Sequence, residues 1–303
     1  MAFSVFSMAS LTILSLFLLY EYHAHDKHNT FGKGRDEMQR IRRRVLMPIN
    51  ITPSQALWNK GRKVKEEYVL SSTSCDIFSG RWVVDERYPI YGLQQSCPYL
   101  SPQFNCKNNG RPDSLYSKWR WQPQDCTIPS FNAMEMLEII RGKRLLFVGD
   151  SLSRNQWESM VCMLQSVIPD SQKSAILGYP LASFTALNYD ASVEFFWAPF
   201  LVELDSAYVG NEMKRILRID AIENNANYWR GVDILVFNSA HWWMHSGTLR
   251  SWDYIEIGGK LYEDMDPMLA YANGIATWAN WVDFNINPLN TQVIFSSISP
   301  THS

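Results

Sequence analysis

The stretch from Arg144 to Leu164 constrains the fold more than any other part of this 303-residue chain. It opens with an apolar run, Leu145 to Val148, which is bounded by charge on one side and by glycine on the other, as is typical of a buried strand. After Gly149-Asp150-Ser151, apolar residues recur at helical spacing. The pattern predicts a strand that passes through a tight turn directly into a helix, with Ser151 at the turn.

Ser151 has the surroundings of a nucleophile at this turn. Gly149 allows a tight turn without side-chain bulk, and the following helix points free N–H groups and its positive dipole end at the turn. A serine placed there can attack a carbonyl carbon, and the developing oxyanion finds donors nearby. The alternative is that Asp150 or Ser151 only caps the helix. The apolar strand, the glycine and the polar run Arg154-Asn155-Gln156 together favour the catalytic interpretation.

The amino-terminal residues predict membrane attachment. Phe3 to Tyr20 is uncharged and mostly apolar, at the lower end of a membrane-spanning length, and Glu21 ends it. No basic segment precedes this run and no clear cleavage site follows, so a transmembrane signal anchor over residues 1–21 is favoured over a cleaved signal peptide. Residues 22–71 are polar, with HAHDKH and RIRRR, and predict a stem or linker.

Composition narrows the class of partner. A net charge of −2 gives no electrostatic footprint for nucleic acid. The chain has twelve tryptophans and fourteen tyrosines, whose rings suit sugars, although most of them are expected in the core. The histidines of the polar tail are expected to be solvated rather than to bind metal.

Five cysteines predict a segment held by disulfides. Cys75, Cys97, Cys106 and Cys126 lie within about fifty residues that are rich in Trp, Tyr, Pro and Gly, and Cys162 follows on the predicted helix. Such a segment needs covalent staples, which a secretory compartment permits. A zinc site is disfavoured because the spacings contain no CxxC pair. The odd number indicates a free thiol, an intermolecular bridge or a missing partner, and spacing alone does not give the connectivity.

The remaining chain alternates helical and strand patterns. A helix from Asn132 to Arg141, capped by Asn132, precedes the strand at Leu145. The further predicted strands are Val193–Trp197, Ile234–Phe237 and Val293–Ser296, and the further predicted helices are Glu212–Glu223 and Met268–Val282. The alternation predicts an α/β fold with a parallel sheet and helices on both faces. Ligands bind beyond the carboxyl ends of such strands, where Ser151 and Asn238 lie.

Several motifs resemble one family. The Gly-Asp-Ser turn resembles the first block of the Gly-Asp-Ser-Leu esterase superfamily, and GDSLSRNQWESMVCMLQSVIP resembles the plant trichome-birefringence-like family of wall-polysaccharide O-acetyltransferases. Four other stretches agree with this resemblance, namely CDIFSGRW at 75–82, YPIY at 88–91, RPDSLYSKWRWQPQDC at 111–126 and LVFNSAHWWMH at 235–245. The resemblance covers about residues 72–303.

The resemblance implies the organisation of the whole chain. It implies a Trp-rich lobe at 72–131, with bridges Cys75–Cys126 and Cys97–Cys162 and with the partner of Cys106 beyond residue 303, and an SGNH-hydrolase-like catalytic domain at 132–303. It implies a single-pass type II Golgi membrane protein with a lumenal catalytic domain. The positive-inside rule, applied to the basic cluster from Arg40 to Arg44, predicts the opposite orientation, with the stem in the cytosol. In the lumen, the sequon at Asn50 becomes a glycosylation site.

The resemblance also suggests roles at the site. Ser151 is the expected nucleophile, and Asn238 is either an oxyanion donor or a turn asparagine. Arg154 and Gln156 are expected to orient Asp150 or to touch substrate. The expected substrate contacts after Asn238 are His241, Trp242 and Trp243. No metal and no bound cofactor are expected, and acetyl-CoA or another acetyl carrier would be the co-substrate.

The general base of the family comes from an Asp-x-x-His motif near the carboxyl terminus. None of the six histidines of this chain has an aspartate three residues before it. His241 and His245 are expected to pack or to contact substrate rather than to act as the base. We therefore expect a truncated, inactive chain, because Ser151 without a base is a poorly activated hydroxyl.

Three functions remain open from the sequence. The first is O-acetylation of a plant cell-wall polysaccharide such as xylan, through an acyl-enzyme on Ser151. The second is hydrolysis by a carbohydrate acetylesterase, which differs in whether water is excluded from the site. The third is a catalytically inactive polysaccharide-binding protein, because the catalytic pair is absent.

Overall fold

The central element of the fold is a six-stranded sheet. The computed structural model of the chain describes residues 76–88 and 97–296. In the order in which they lie side by side, the strands of the central sheet are β12 (Gln292–Ser296), β9 (Ile234–Asn238), β3 (Arg144–Gly149), β6 (Ala191–Trp197), β5 (Leu181–Ala186) and β4 (Lys173–Ile176). The predicted strand that leads to Ser151 is therefore an interior strand of the sheet, with Leu145 to Val148 fully buried.

The sheet is mixed, so the prediction of a parallel sheet is only partly right. Strands β12, β9, β3 and β6 are parallel, whereas β5 and β4 pair antiparallel at one side. Only the short turn Leu187–Tyr189 and Asp190, at φ 49°, join β5 to β6, and so short a connection permits only antiparallel pairing. The buried residues of β5 include two alanines, which give a weak strand signal in the sequence.

Helices cover both faces of this sheet, as predicted. The helices are α1 (Ala133–Ile139), α2 (Ser151–Gln165), α3 (Glu223–Ala226) and α4 (Pro267–Asn285). Helices α1 and α2 pack in one apolar cluster with β3 and β6, and α4 packs in a second cluster on the opposite face. Asn132 caps α1 as predicted, because its side chain accepts hydrogen bonds from the N–H groups of Met134 and Glu135. Short 3-10 turns lie at Pro102–Phe104, Leu115–Lys118, Asp170–Gln172, Leu187–Tyr189, His241–Met244 and Gly247–Leu249.

A second sheet of four strands corrects the helix predicted over Glu212–Glu223. Its strands, in spatial order, are β11 (Lys260–Tyr262), β10 (Tyr254–Ile257), β8 (Glu212–Arg218) and β7 (Glu203–Val209). The two residues between β7 and β8, Gly210 and Asn211, form a hairpin turn with Gly210 at φ 62°. A two-residue Gly-Asn connection between two runs is a hairpin signal that outweighs weak helical periodicity.

The amino-terminal lobe consists of a small sheet and irregular segments. Strands β1 (Gly80–Val84) and β2 (Trp119–Pro123) pair antiparallel, with Trp82 opposite Trp121 and their rings 5.6 Å apart. A side chain at Gly80 would lie 2.4 Å from the carbonyl oxygen of Gln122, so only glycine fits there. The lobe is therefore stabilised by an aromatic pair and close backbone packing rather than by a large core.

The amino-terminal lobe is joined covalently to the main sheet domain. A disulfide links Cys97 in the lobe to the buried Cys162 on α2, which is the pairing that the resemblance implies. Cys126 is also disulfide-bonded, but its expected partner Cys75 lies outside the described residues. Cys106 carries a free, partly exposed thiol.

The predicted anchor at 1–21, the stem at 22–71 and the sequon at Asn50 also lie outside the described residues. Within residues 76–88 and 97–296, no helix has the length and apolar character needed to cross a membrane.

Removal of the Cys97–Cys162 bridge is expected to lower the free energy of unfolding. It closes a loop with a sequence separation of 65, which the loop-entropy account values at about 4 kcal/mol. We expect the double variant Cys97→Ala/Cys162→Ala to lose roughly that free energy of unfolding in denaturant titrations. The matched control Cys106→Ala, which removes a thiol without a bridge, should lose less than about 1 kcal/mol. Equal losses in the two variants would contradict this interpretation.

Candidate active site

Ser151 is the first residue of α2 and follows β3 after a single residue. Asp150 between them is the helix cap, because its Oδ1 accepts a hydrogen bond from the N–H of Leu152 at 2.8 Å. The capping alternative thus applies to Asp150, which leaves the Ser151 side chain partly exposed at the positive end of a fifteen-residue helix. Within the described part of the chain, no side chain or carbonyl group forms a hydrogen bond with Ser151 Oγ.

Gly149 is required by the close packing of β3 against β9. A Cβ atom at Gly149 would lie 2.5 Å from the carbonyl oxygen of Asn238 and 2.5 Å from Ser153 Oγ. Both distances are shorter than van der Waals contact, so any other residue would push the two strand ends apart. The glycine therefore brings the Asp150-Ser151 turn against Asn238, as the motif predicts.

Asp150 has a fully buried carboxylate group, and the helix-capping hydrogen bond engages only its Oδ1 atom. Its Oδ2 atom has no hydrogen-bond partner among the described residues. Burial raises the pKa of Asp150 to about 6, although the hydrogen bond from Leu152 and the charge of His245 act in the opposite direction. The carboxyl group at this turn therefore titrates close to neutral pH.

This raised pKa predicts an unusual pH dependence of stability. A carboxyl whose folded pKa lies near 6, above its unfolded value of 3.8, stabilises the fold at low pH, and that stability is lost as the pH rises through about 6. Asp150→Asn keeps a good capping side chain and removes the titration. We expect the variant to gain up to roughly 3 kcal/mol relative to the parent between about pH 4 and 7, measured by denaturant unfolding at both pH values. A constant difference between the two proteins would contradict the buried-carboxylate interpretation.

His241 and His245 form a pair in the segment after β9. Their Nε2 atoms lie 3.4 Å apart, so one ring can donate to the other only when one of them is unprotonated. Burial and the neighbouring His241 lower the pKa of His245, whereas Asp150 raises it. The fold thus brings His245 into electrostatic contact with the turn that carries Ser151.

Asn238 lies at the carboxyl end of β9 and is almost fully buried. Its Nδ2 donates a hydrogen bond to the carbonyl oxygen of Ser296 at 2.9 Å, so the side chain joins β9 to β12. Asn238 therefore lies beside the Ser151 turn, at the carboxyl end of a strand, as the sequence predicts. The role of the amide toward an oxyanion stays a prediction.

Arg154 binds the lobe rather than Asp150. Its Nε donates to Glu158 at 3.1 Å and its Nη2 donates to Ser101 Oγ at 2.9 Å. Glu158 is buried and also accepts from the N–H of Ser101 at 2.8 Å, and burial raises its pKa despite these bonds. This cluster fixes α2 to the lobe. Gln156, two residues after Arg154, is partly exposed on α2.

The two tryptophans after His241 have different surroundings. Trp243 is fully buried, donates from Nε1 to Ser239 Oγ at 2.9 Å, and packs so tightly on Gly274 that a Cβ there would lie 2.5 Å from the ring. Trp243 is therefore a core residue, and the prediction that it contacts substrate is wrong. Trp242 is partly exposed, with ring centres 5.3 Å from both Trp197 and His245.

Two residues near the site were missed in the sequence. Trp197 ends β6 directly beside Gly149, its neighbour across the sheet, and the strand pattern alone gave no sign of a functional role. Glu158 is a buried anchor for the lobe, and its position four residues after Arg154 was the available signal. The described residues contain no group of three His, Cys, Asp or Glu side chains placed to hold a metal ion.

Fold and site together define an α/β protein with a serine at a strand-to-helix turn, an arrangement in which a serine can serve as a nucleophile. Comparison with known proteins agrees. Residues 128–303 match the GDSL/SGNH-like acyl-esterase family found in Pmr5 and Cas1p, and residues 73–127 match the PMR5 amino-terminal domain. The chain therefore belongs to this PC-esterase family, as the motifs indicate.

Individual relatives are similar over most of the chain. Protein trichome birefringence-like 36 of Arabidopsis thaliana is 52% identical over 76% of the chain and 59% of its own length. Protein trichome birefringence-like 6 of the same plant is 41% identical over 94% of the chain and 63% of its own length. Probable xylan O-acetyltransferase 10 of Oryza sativa subsp. japonica is 44% identical over 77% and 54%. The chain thus spans little more than half the length of these relatives.

Proposed function

We propose that the protein is a polysaccharide O-acetyltransferase whose substrate is plant cell-wall xylan. The observation that carries the proposal is the partly exposed Ser151 hydroxyl at the amino-terminal end of α2. The printed name of the Oryza sativa relative supports xylan as the substrate. The acetyl group would come from acetyl-CoA or another acetyl carrier.

The proposed reaction has two steps at Ser151. Its Oγ attacks the acetyl carbonyl, and the bond to the carrier breaks as the tetrahedral intermediate collapses. A sugar hydroxyl then attacks the acetyl-serine, which restores the serine and leaves an acetylated glycan. Free N–H groups in the first turn of α2 would stabilise the oxyanion in both steps, and the Asn238 amide would assist them.

Both steps need a general base that accepts a proton. Neither described histidine forms a hydrogen bond with Ser151 Oγ, and the Nε2 atoms of His241 and His245 lie 3.4 Å from each other. Asp-x-x-His does not occur in the 303 residues. We therefore infer that the 303-residue chain alone transfers acetyl groups only at the residual level of a site without its base.

The same observation favours a second candidate, a polysaccharide-binding protein without turnover. In that case the chain would retain glycan binding while Ser151 remains unreactive. Hydrolysis differs from transfer only in that water is the final acceptor of the acetyl group. The two reactions are distinguished by their products, free acetate or acetylated glycan.

We propose the Golgi lumen as the location, with attachment through the predicted anchor at residues 1–21. The Cys97–Cys162 disulfide supports an oxidising secretory compartment. No nucleic acid partner is expected.

A comparison of two chain lengths and two serine variants tests the proposed function. The 303-residue chain and one extended by the Asp-x-x-His segment of a relative would be assayed for acetyl transfer to xylo-oligosaccharides. We expect the extended chain to be active, and Ser151→Ala in it to lose on the order of 10⁴-fold. The unextended chain should reach only about 10³–10⁴-fold over the uncatalysed rate.

Ser166→Ala, at the other end of α2, is the matched control and should keep full activity. Ser151→Ala within about tenfold of the parent would remove Ser151 from the mechanism. Free acetate instead of acetylated glycan would indicate the esterase. Rapid turnover by the unextended chain that is lost in His245→Ala would place the base between Asn238 and His245.

A further inference from the structure

Aromatic side chains follow the edge of the sheet at which Ser151 lies. The carboxyl ends of β9, β3 and β6 meet at this edge, and the start of the antiparallel β5 lies next to them. Trp197 is the last residue of β6 and is opposite Gly149 in the register. Ala198 donates to the carbonyl oxygen of Gly149 at 3.0 Å, so Trp197 is fixed one strand away from the Ser151 turn.

Trp197 lies on the same face of the sheet as α2. It packs against the apolar cluster that contains α2, and it is two residues from Phe195, whose ring lies 6.3 Å from that of Trp157 on α2. Since α2 runs back from Ser151 over this face, its first turn is the part that lies nearest to the strand ends. The ring of Trp197 is partly exposed there, and the ring of Trp242 meets it edge to face.

The hairpin between β4 and β5 extends the row beyond Trp197. The N–H of Trp197 donates to the carbonyl oxygen of Pro180 at 2.8 Å, which places the hairpin tip at the same edge. Tyr179 at this tip is 82% exposed, and Leu177 beside it is 65% exposed. Strands lie about 4.8 Å apart, so the tip is roughly 10 Å from the end of β3, about the length of a disaccharide.

The chemistry of the row fits an uncharged sugar chain. The segments 176–181 (ILGYPL) and 197–202 (WAPFLV) contain no charged residue. The nearest cation on α2, Arg154, is already paired with Glu158 and Ser101. Aromatic side chains on segments without charged residues favour the apolar faces of neutral sugar rings over an acidic glycan or an anionic lipid surface.

We propose that Tyr179, Trp197 and Trp242 form a row of aromatic subsites that hold a neutral polysaccharide along the sheet edge, with the reacting sugar at Ser151. The proposal deepens the proposed function and rests on it for the identity of the reacting sugar. Trp197 and Trp242 hold the sugars next to Ser151, and Tyr179 holds a sugar farther along the chain. Acceptor length is therefore sensed at Tyr179.

Glycan binding and acetyl transfer would be measured separately for Tyr179→Ala. Binding of xylobiose and xylohexaose to the 303-residue chain is measured by calorimetry, without any acetyl donor. We expect the variant to bind xylohexaose about three- to tenfold more weakly, because one ring contact is lost, and to bind xylobiose as the parent does. Tyr208→Ala is the matched control, since Tyr208 is 71% exposed on the other sheet, and it should bind both probes like the parent.

A second variant guards against misfolding. Trp197→Phe retains an aromatic core contact and should weaken both xylobiose and xylohexaose while the Tm of the protein stays near that of the parent. Unchanged xylohexaose binding in Tyr179→Ala, equal weakening in Tyr208→Ala, or tighter binding of an oligogalacturonate probe than of xylohexaose would overturn the proposal. Failure of the parent to bind any oligosaccharide would overturn it as well.

Transfer assays on the extended chain separate this proposal from the proposed function. There, Tyr179→Ala should raise KM for xylohexaose, whereas the control Tyr208→Ala should leave both this KM and the rate of acetyl release from 4-nitrophenyl acetate as in the parent. Suppose that Tyr179→Ala weakens the binding of xylohexaose but the extended parent chain transfers no acetyl group. That combination of results would support the row of subsites and refute the proposed acetyltransferase activity.

Discussion

The close approach of Gly149 to the carbonyl group of Asn238 is the constraint on which the site depends. It requires a residue without a side chain between a fully buried strand and a helix, and it places the first turn of α2 at the end of β9. Ser151 gains its position from this contact, since its own side chain forms no hydrogen bond within residues 76–88 and 97–296. Trp197 lies beside the same turn because β6 pairs with β3 as far as Gly149.

Asp150 combines a structural and an electrostatic role in the same turn. One carboxylate oxygen caps α2, and the other has no hydrogen-bond partner among the described residues. Burial of the carboxyl group raises its pKa to about 6. A buried unpaired oxygen costs free energy, and such a cost is often found at functional sites. The lobe also holds α2, through the Cys97–Cys162 bridge and the Ser101–Glu158 hydrogen bonds. The helix that carries Ser151 is therefore fixed at its start by the sheet and along its length by the lobe.

Local signals predicted the centre of the fold and missed its periphery. The run Leu145–Val148, the cap at Asn132 and the turn at Ser151 each have a strong local pattern, and each lies where predicted. The hairpin at Gly210 was missed because its strands mix charged and apolar residues like an exposed helix. Two tryptophans of the site show what the sequence alone does not reveal. Trp243 was predicted to contact substrate because it lies close to His241 in the sequence, but it is a buried core residue. The position of Trp197 beside the Ser151 turn follows only from the pairing of β6 with β3.

Direct detection of an acetyl-enzyme tests the central claim, that Ser151 is the acyl carrier. The chain extended by the Asp-x-x-His segment would be incubated with an acetyl donor without glycan, quenched in acid, and digested for peptide mass spectrometry. We expect one acetyl group on Ser151, which disappears when xylo-oligosaccharide is added before the quench. Steady transfer with an unmodified Ser151, or with the acetyl group on His245 or Cys106 instead, would contradict the account.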